Sequence, residues 1–272
     1  MKFLNINYLL IICFSCVYSA CESDDVQKLD KRDWKLTWSD EFEGVKDQAP
    51  DPKKWTYDLG TGQNGWGNGE YQTYTNRPEN VSLDGQGHLV ITARNQPFGG
   101  ANFSSGRLKT QGLFAQKYGR FEVKIQTPYG PGIWPAFWMV GENVSQAGWP
   151  QCGEIDILEI RGQNPGTVIG SLHGPGYSGG GAVNRSYSLI NGRFDTDFNL
   201  YAVEWNEEKI DFLVNDYLYG RITKKDVPGE WVYDQPFFMI LNVAVGGNFV
   251  GFPTNQTPFP QSMIVDYVRV YQ

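Results

Sequence analysis

Glycine and proline punctuate this chain so often, 32 and 15 times in 272 residues, that few windows are long enough for a helix. The segments between them are short and rich in β-branched and aromatic residues: His88 to Ala93, Gly119 to Ile125, Leu200 to Trp205, Ile210 to Val214, Phe237 to Val243 and Ile264 to Val270. Gly, Pro, Asn and Asp turn signals separate them. Many short strands without helical crossovers predict an all-β fold of antiparallel sheets, a sandwich or a barrel. No internal repeat or low-complexity linker divides the chain, and its length suits one large domain.

One predicted strand carries charge where charge is costly. Gly153 to Ile160 reads Gly-Glu-Ile-Asp-Ile-Leu-Glu-Ile, three carboxylates in an otherwise aliphatic run. Burial disfavours the ionised form and raises a carboxyl pKa, so acids at different depths are driven to different pKa values. An acid and a nucleophile need such a split to coexist at one pH. Strand alternation puts Glu154 and Asp156 on one face and Glu159 on the other. A β-bulge at Ile157 or Leu158 would bring all three into one groove.

This run and four segments around it resemble the laminarinase-type endo-β-glucanases of glycoside hydrolase family 16. They are Glu154-Ile-Asp-Ile-Leu-Glu159 itself, Gly132-Ile-Trp-Pro-Ala-Phe-Trp138-Met before it, Ser105-Gly-Arg107 with Gly119-Arg-Phe-Glu122, and His173-Gly-Pro-Gly after it. The likeness extends from about Trp38 to Tyr271. It implies a β-jelly roll sandwich of two antiparallel sheets whose concave face is the substrate cleft. It implies retaining hydrolysis of mixed-linkage β-1,3/1,4-glucan or of β-1,3-glucan such as laminarin. Glu154 would be the nucleophile, Glu159 the general acid/base, and Asp156 the residue that orients and tunes the nucleophile, its like charge helping Glu159 keep its proton.

The same resemblance assigns substrate contacts. Trp134 and Trp138, four residues apart on one strand face, would line subsites on the nonreducing side, and Asn68 would touch sugar, although Gly69 stands where a second Asn is common. Arg107 is expected to hydrogen-bond near the nucleophile and favour its ionised form. His173 matches a cleft histidine. Phe249 stands where many relatives carry Trp, a smaller platform without an N–H donor. Trp66, Trp149 and Tyr177, in Gly-rich loops, are weaker candidates. No cofactor enters the chemistry. A structural Ca²⁺ is implied, held by the backbone carbonyls of Glu41 and Gly87 and the carboxylate of Asp266, all hard oxygen donors.

The chain start reads as an export signal: Lys2, an apolar run from Tyr8 to Val17, then Tyr18-Ser-Ala-Cys21. It resembles a bacterial lipoprotein leader, with residues 1–20 removed, lipid on Cys21, an acidic tether over 21–32 and the catalytic domain over 33–272. The expected location is the outer membrane, at the cell surface, with membrane contact only through the lipid. A monomer is expected. Cys13 and Cys16 leave with the leader, so Cys152 stands alone, no internal disulfide is possible, and packing explains it better than catalysis. The formal charge of −7 repels phosphate backbones, which argues against nucleic acid, while a neutral polysaccharide is indifferent to it.

Gly176-Tyr-Ser178-Gly-Gly180 fits a serine-hydrolase elbow, but that elbow needs a helix after it and a histidine later in the chain. Both histidines, His88 and His173, precede Ser178. Two other readings stay open. One is a different specificity within the family, such as a transglycosylase, agarase or carrageenase. The other is a noncatalytic surface glycan-binding lipoprotein, which should have lost one of the acids.

Overall fold

The computed structural model describes Leu29 and residues 32–272; Cys21, its leader and most of the predicted tether lie outside the described residues. Two large antiparallel sheets pack face to face as a β-jelly roll. The inner sheet runs, in spatial order, Val183–Ser188, Thr167–His173, Glu154–Glu159, Ile133–Gly141, Phe237–Val245, Arg107–Lys109 and Thr56–Tyr57. The outer sheet runs Tyr217–Thr223, Lys209–Val214, Asn199–Trp205, Gly119–Gln126, Gln261–Tyr271, Leu89–Ala93 and Val81–Leu83, with Leu36–Asp40 also paired to Gln261–Tyr271. Gln72–Tyr74 and Phe103–Ser105 form a small parallel pair beside them. All six strands predicted above are present, within three residues at either end.

Period-two alternation builds the core. Ile133, Phe137 and Met139 on one inner strand, and Phe237, Met239, Leu241, Val243 and Val245 on its neighbour, are fully buried. The outer sheet contributes Phe121, Val123, Ile125, Tyr201, Val203 and Trp205 to the same cluster. Burying apolar surface at ~25 cal/mol per Å² makes this layer the main source of stability. The alternate residues of the two inner strands, Trp134, Ala136 and Trp138 opposite Ala244, Asn242 and Ile240, face away from the core and form the cleft floor. Tyr177 is a core residue instead, 1% exposed, with its hydroxyl donating to the Glu230 carbonyl.

Cys152 is free and fully buried, its thiol pushed up to about 11 by burial and then by the Glu154 charge, in keeping with a packing role. Ser178 has an extended backbone and precedes only the three-residue turn Gly179–Gly181, so no elbow forms.

Candidate active site

The acid strand carries the bulge that its spacing requires. Against Ile133–Gly141, Asp156 pairs with Trp138 and Leu158 with Phe137, so Ile157 is the extra residue. Against Thr167–His173, Asp156 pairs with Ser171 and Glu159 with Ile169, leaving Ile157 and Leu158 opposite Gly170. Both of these side chains are fully buried in the core. Opposite them, Gly170 leaves room for the outer-sheet Phe212 ring, from which a Cβ would lie only 2.3 Å. The consequence of the bulge is that Glu154, Asp156 and Glu159 share the cleft face.

Neutral donors hold the acids. Trp149 Nε1 donates to Glu154 Oε2 at 3.0 Å, and Trp134 Nε1 donates to Glu159 Oε1 at 3.1 Å. Ser171 Oγ donates to Glu159 Oε2 at 3.2 Å. His173 Nε2 lies 3.0 Å from Asp156 Oδ2 and 3.6 Å from Glu154 Oε1. Its Nδ1 accepts from the Gly179 backbone N–H at 3.0 Å, which leaves Nε2 as the ring N–H facing the acids. Glu154, Asp156 and His173 bring their ligand atoms within 4.8 Å of one another. With the Nε2 lone pair carrying a proton, this is a proton arrangement and not a metal site.

Burial first, and the Asp156 charge second, push Glu154 and Glu159 both up to about 8. His173 opposes this in each, with Trp149 helping at Glu154 and Ser171 and Trp134 at Glu159. Burial drives Asp156 well above the usual carboxylate range. The three cannot all ionise together. Between the two acids nearest His173, Glu154 is the more open, its side chain 15% exposed against 5% for Asp156.

The other predicted contacts are distributed along the cleft. Trp138 donates its Nε1 to Asn242 Oδ1 at 2.7 Å, and Asn242 Nδ2 donates to the Tyr74 hydroxyl, which donates to Glu70 Oε2. Asn68 is exposed on the turn Gly65–Gly69 and reaches Glu70 Oε1 at 3.4 Å. Phe249 packs on Trp134 with centroids 4.9 Å apart, and the Arg161 guanidinium lies 4.3 Å over the Phe249 ring. Sequence reasoning missed Asn242, whose partners Trp138 and Tyr74 are 104 and 168 residues away in the chain, missed Ser171 and Glu70 as well, and ranked Trp149 too low. The adjacency of Trp149 to the acid run was the available signal.

Arg107 departs from expectation. Two strands separate Arg107–Lys109 from the acid strand, about 14 Å at the usual spacing of ~4.8 Å. Its guanidinium pairs with Asp58 at 2.9 Å and is sandwiched between Trp66 and Trp138, 4.6 and 4.8 Å from their ring centroids. It therefore stiffens the cleft floor and does not polarise Glu154. The calcium donor set fits poorly as arranged. Asp266, the one side-chain donor of the set, is already matched by Lys124 Nζ at 2.8 Å, so a divalent ion would have to displace an ammonium.

Residues 68–268 match the glycosyl hydrolases family 16. A β-glucanase of Rhodothermus marinus is 41% identical, covering 97% of this chain and 93% of the relative. The laminarinase catalytic domain of Thermotoga maritima superposes with a TM-score of 0.84 at 44% identity, covering 89% of this chain and 99% of that one. SCLam, a non-specific endo-β-1,3(4)-glucanase, superposes with a TM-score of 0.79 at 37% identity, covering 90% and 93%.

Proposed function

The chain belongs to glycosyl hydrolases family 16, and we propose that it cuts internal bonds of β-1,3-glucan and mixed-linkage β-1,3/1,4-glucan by a retaining double displacement. It is a glycoside hydrolase of the endo-β-glucanase kind, and its chemistry uses carboxylates without a cofactor. Glu154 attacks the anomeric carbon while Glu159, protonated, passes its proton to the leaving glycosidic oxygen. Glu159, now a base, takes a proton from water as that water attacks the glycosyl ester and frees Glu154. Asp156 hydrogen-bonds Glu154, and the His173 N–H faces both, so that the cluster shares its proton inventory. Trp134 fixes Glu159 and offers its ring to a sugar face.

The observation that carries this reading is the bulge that sets three acids on one open face with no Lys or Arg bonded to any of them among the described residues. All three acids are present, which sets the chain apart from a noncatalytic glycan binder. NMR of fresh products should show β-anomers from both laminarin and cereal-type glucan; early α-anomer would overturn the double displacement. A panel of neutral and sulfated polysaccharides with product sizing separates hydrolysis from transglycosylation, agarase and carrageenase activity.

The location follows from the leader. Lipid on Cys21 would hold the domain at the outer membrane surface through an acidic tether, acting on polysaccharide outside the cell. Cys21→Ser should move the enzyme from the membrane to the soluble fraction, and unchanged fractionation rejects the anchor.

A further inference from the structure

Two aromatic rings stand in the open beside the last residue of the cleft-floor strand Phe237–Val245. Phe252 is 67% exposed and Tyr71 37% exposed, and they stack with centroids 5.2 Å apart and planes 28° apart. Burying such rings in the core would have been worth ~2 kcal/mol each, so an exposed, ordered pair calls for an occupant.

Their anchoring ties them to the sugar-binding floor. The Tyr71 backbone N–H donates to the Val245 carbonyl at 2.8 Å, at the last residue of the strand that carries Asn242 and Ala244. Its ring lies on Gly246, where a Cβ would come within 2.7 Å of it. The Gly246 N–H donates to the Gly132 carbonyl at 2.7 Å, two residues before Trp134. The Phe252–Pro253 backbone packs on Gly132 from the other side, and Phe249 of the same loop covers Trp134. One loop, residues 246–253, therefore supplies a ring to each pair, Phe249 against Trp134 and Phe252 against Tyr71.

We propose that Tyr71 and Phe252 form a distal sugar-stacking platform that extends the cleft beyond Trp134 and Phe249 and grips the far end of a long glucan chain. The occupant is the apolar C–H face of a pyranose ring in the enzyme's own polymeric substrate, because the pair is continuous with the floor that binds that polymer. The inference rests on the glucanase reading and deepens it. Phe249 is a small platform, and a second pair further out restores contact area that it lacks. Short oligosaccharides that fill only the sites around the acids never reach the pair, so its effect depends on chain length.

The test uses the full chain with Glu154→Gln to prevent turnover, titrated with β-1,3-gluco-oligosaccharides from disaccharide to heptasaccharide and with laminarin. Adding Phe252→Ala should weaken the heptasaccharide and the polymer about fivefold while changing the trisaccharide by less than about 1.5-fold. Tyr71→Ala should act alike, and Phe252→Trp should restore affinity. Equal losses at every length, or none at any length, overturn the platform. Failure of the glucanase reading shows separately, as a wild-type enzyme that releases no sugar from any β-glucan.

Discussion

The two sheets bury carboxylates to similar depth and treat them differently. On the inner sheet, Asp156 and Glu159 are 3% and 9% exposed; on the outer sheet, Glu122, Glu204 and Asp211 are 6%, 8% and 1% exposed. Every outer acid has a cation. Arg120 Nε donates to Glu122 at 2.8 Å, its two terminal nitrogens to Glu204 at 3.0 Å and Asp216 at 2.6 Å, while Asp211 binds Arg221 and Lys209. These residues form a row across four strands, because Arg120 pairs with Glu204, Glu204 with Asp211 and Asp211 with Arg221. The inner acids have indoles, a hydroxyl and an imidazole. Burial alone does not mark a functional carboxylate. A buried carboxylate left without a cation does, because its proton is held near neutral pH and available for transfer.

The largest effect should be on turnover. Glu154→Gln and Glu159→Gln should each lower kcat by about four powers of ten, ~5 kcal/mol in the barrier, while the protein stays folded. Removing Arg120 should do the reverse. Arg120→Met strands Glu122 and Glu204 in a buried place and should lower stability by ~3 kcal/mol, with kcat per folded molecule unchanged. Chemical denaturation and turnover on laminarin read the two quantities independently. An Arg120→Met enzyme that is stable but slow, or a Glu159→Gln enzyme that turns over normally, would break the contrast between the sheets.

That contrast was only half legible in the chain. The short strands were readable from Gly and Pro spacing, and the acid bulge from an alternation that failed by one residue. Yet Glu204 in Ala-Val-Glu-Trp and Asp211 in Lys-Ile-Asp-Phe look, as sequence, just like Glu154. The cation for Glu204 sits 84 residues away, so pairing across strands, which no local pattern encodes, is what separates a structural acid from a chemical one. The same nonlocality misplaced Arg107, whose Asp58 partner and two Trp neighbours meet only after the sheet closes.

A smaller effect concerns pH. Glu159 is held up to about 8, far above its unfolded value near 4.5, chiefly by burial. Between those values the native state binds more protons than the unfolded chain, so this group's contribution to stability is full below pH 4.5 and lost as pH rises through 8. Glutamine has no proton to lose. Relative to wild type, Glu159→Gln should therefore gain ~2 kcal/mol of stability between pH 5 and pH 8, since each pKa unit is ~1.4 kcal/mol and coupling to its neighbours shares the shift. Activity should fall on the basic side near pH 8, as Glu159 loses the proton it must donate. A variant that loses stability over the same interval would mean that Glu159 is held as an anion, like the acids of the outer sheet.

The smallest effect tests whether openness to substrate extends from charges to rings. Phe249 rests on Trp134 and beneath Arg161, half-buried on the cleft side, where a sugar can complete its packing. A larger platform should favour the curved, continuous β-1,3 chain, whereas a straighter β-1,4 segment gains little from it. Wild type should accordingly cleave mixed-linkage glucan at least as well as laminarin. Phe249→Trp should shift the ratio toward laminarin by ~1 kcal/mol, about fivefold in kcat/KM. Because the ring is completed by substrate and not by the core, Tm should stay within about 2 °C of wild type. A tenfold wild-type preference for laminarin, or a ratio unmoved by Phe249→Trp, would place linkage selection elsewhere in the cleft. A large loss of Tm would instead show Phe249 to be a core residue, on the same footing as the matched acids of the outer sheet.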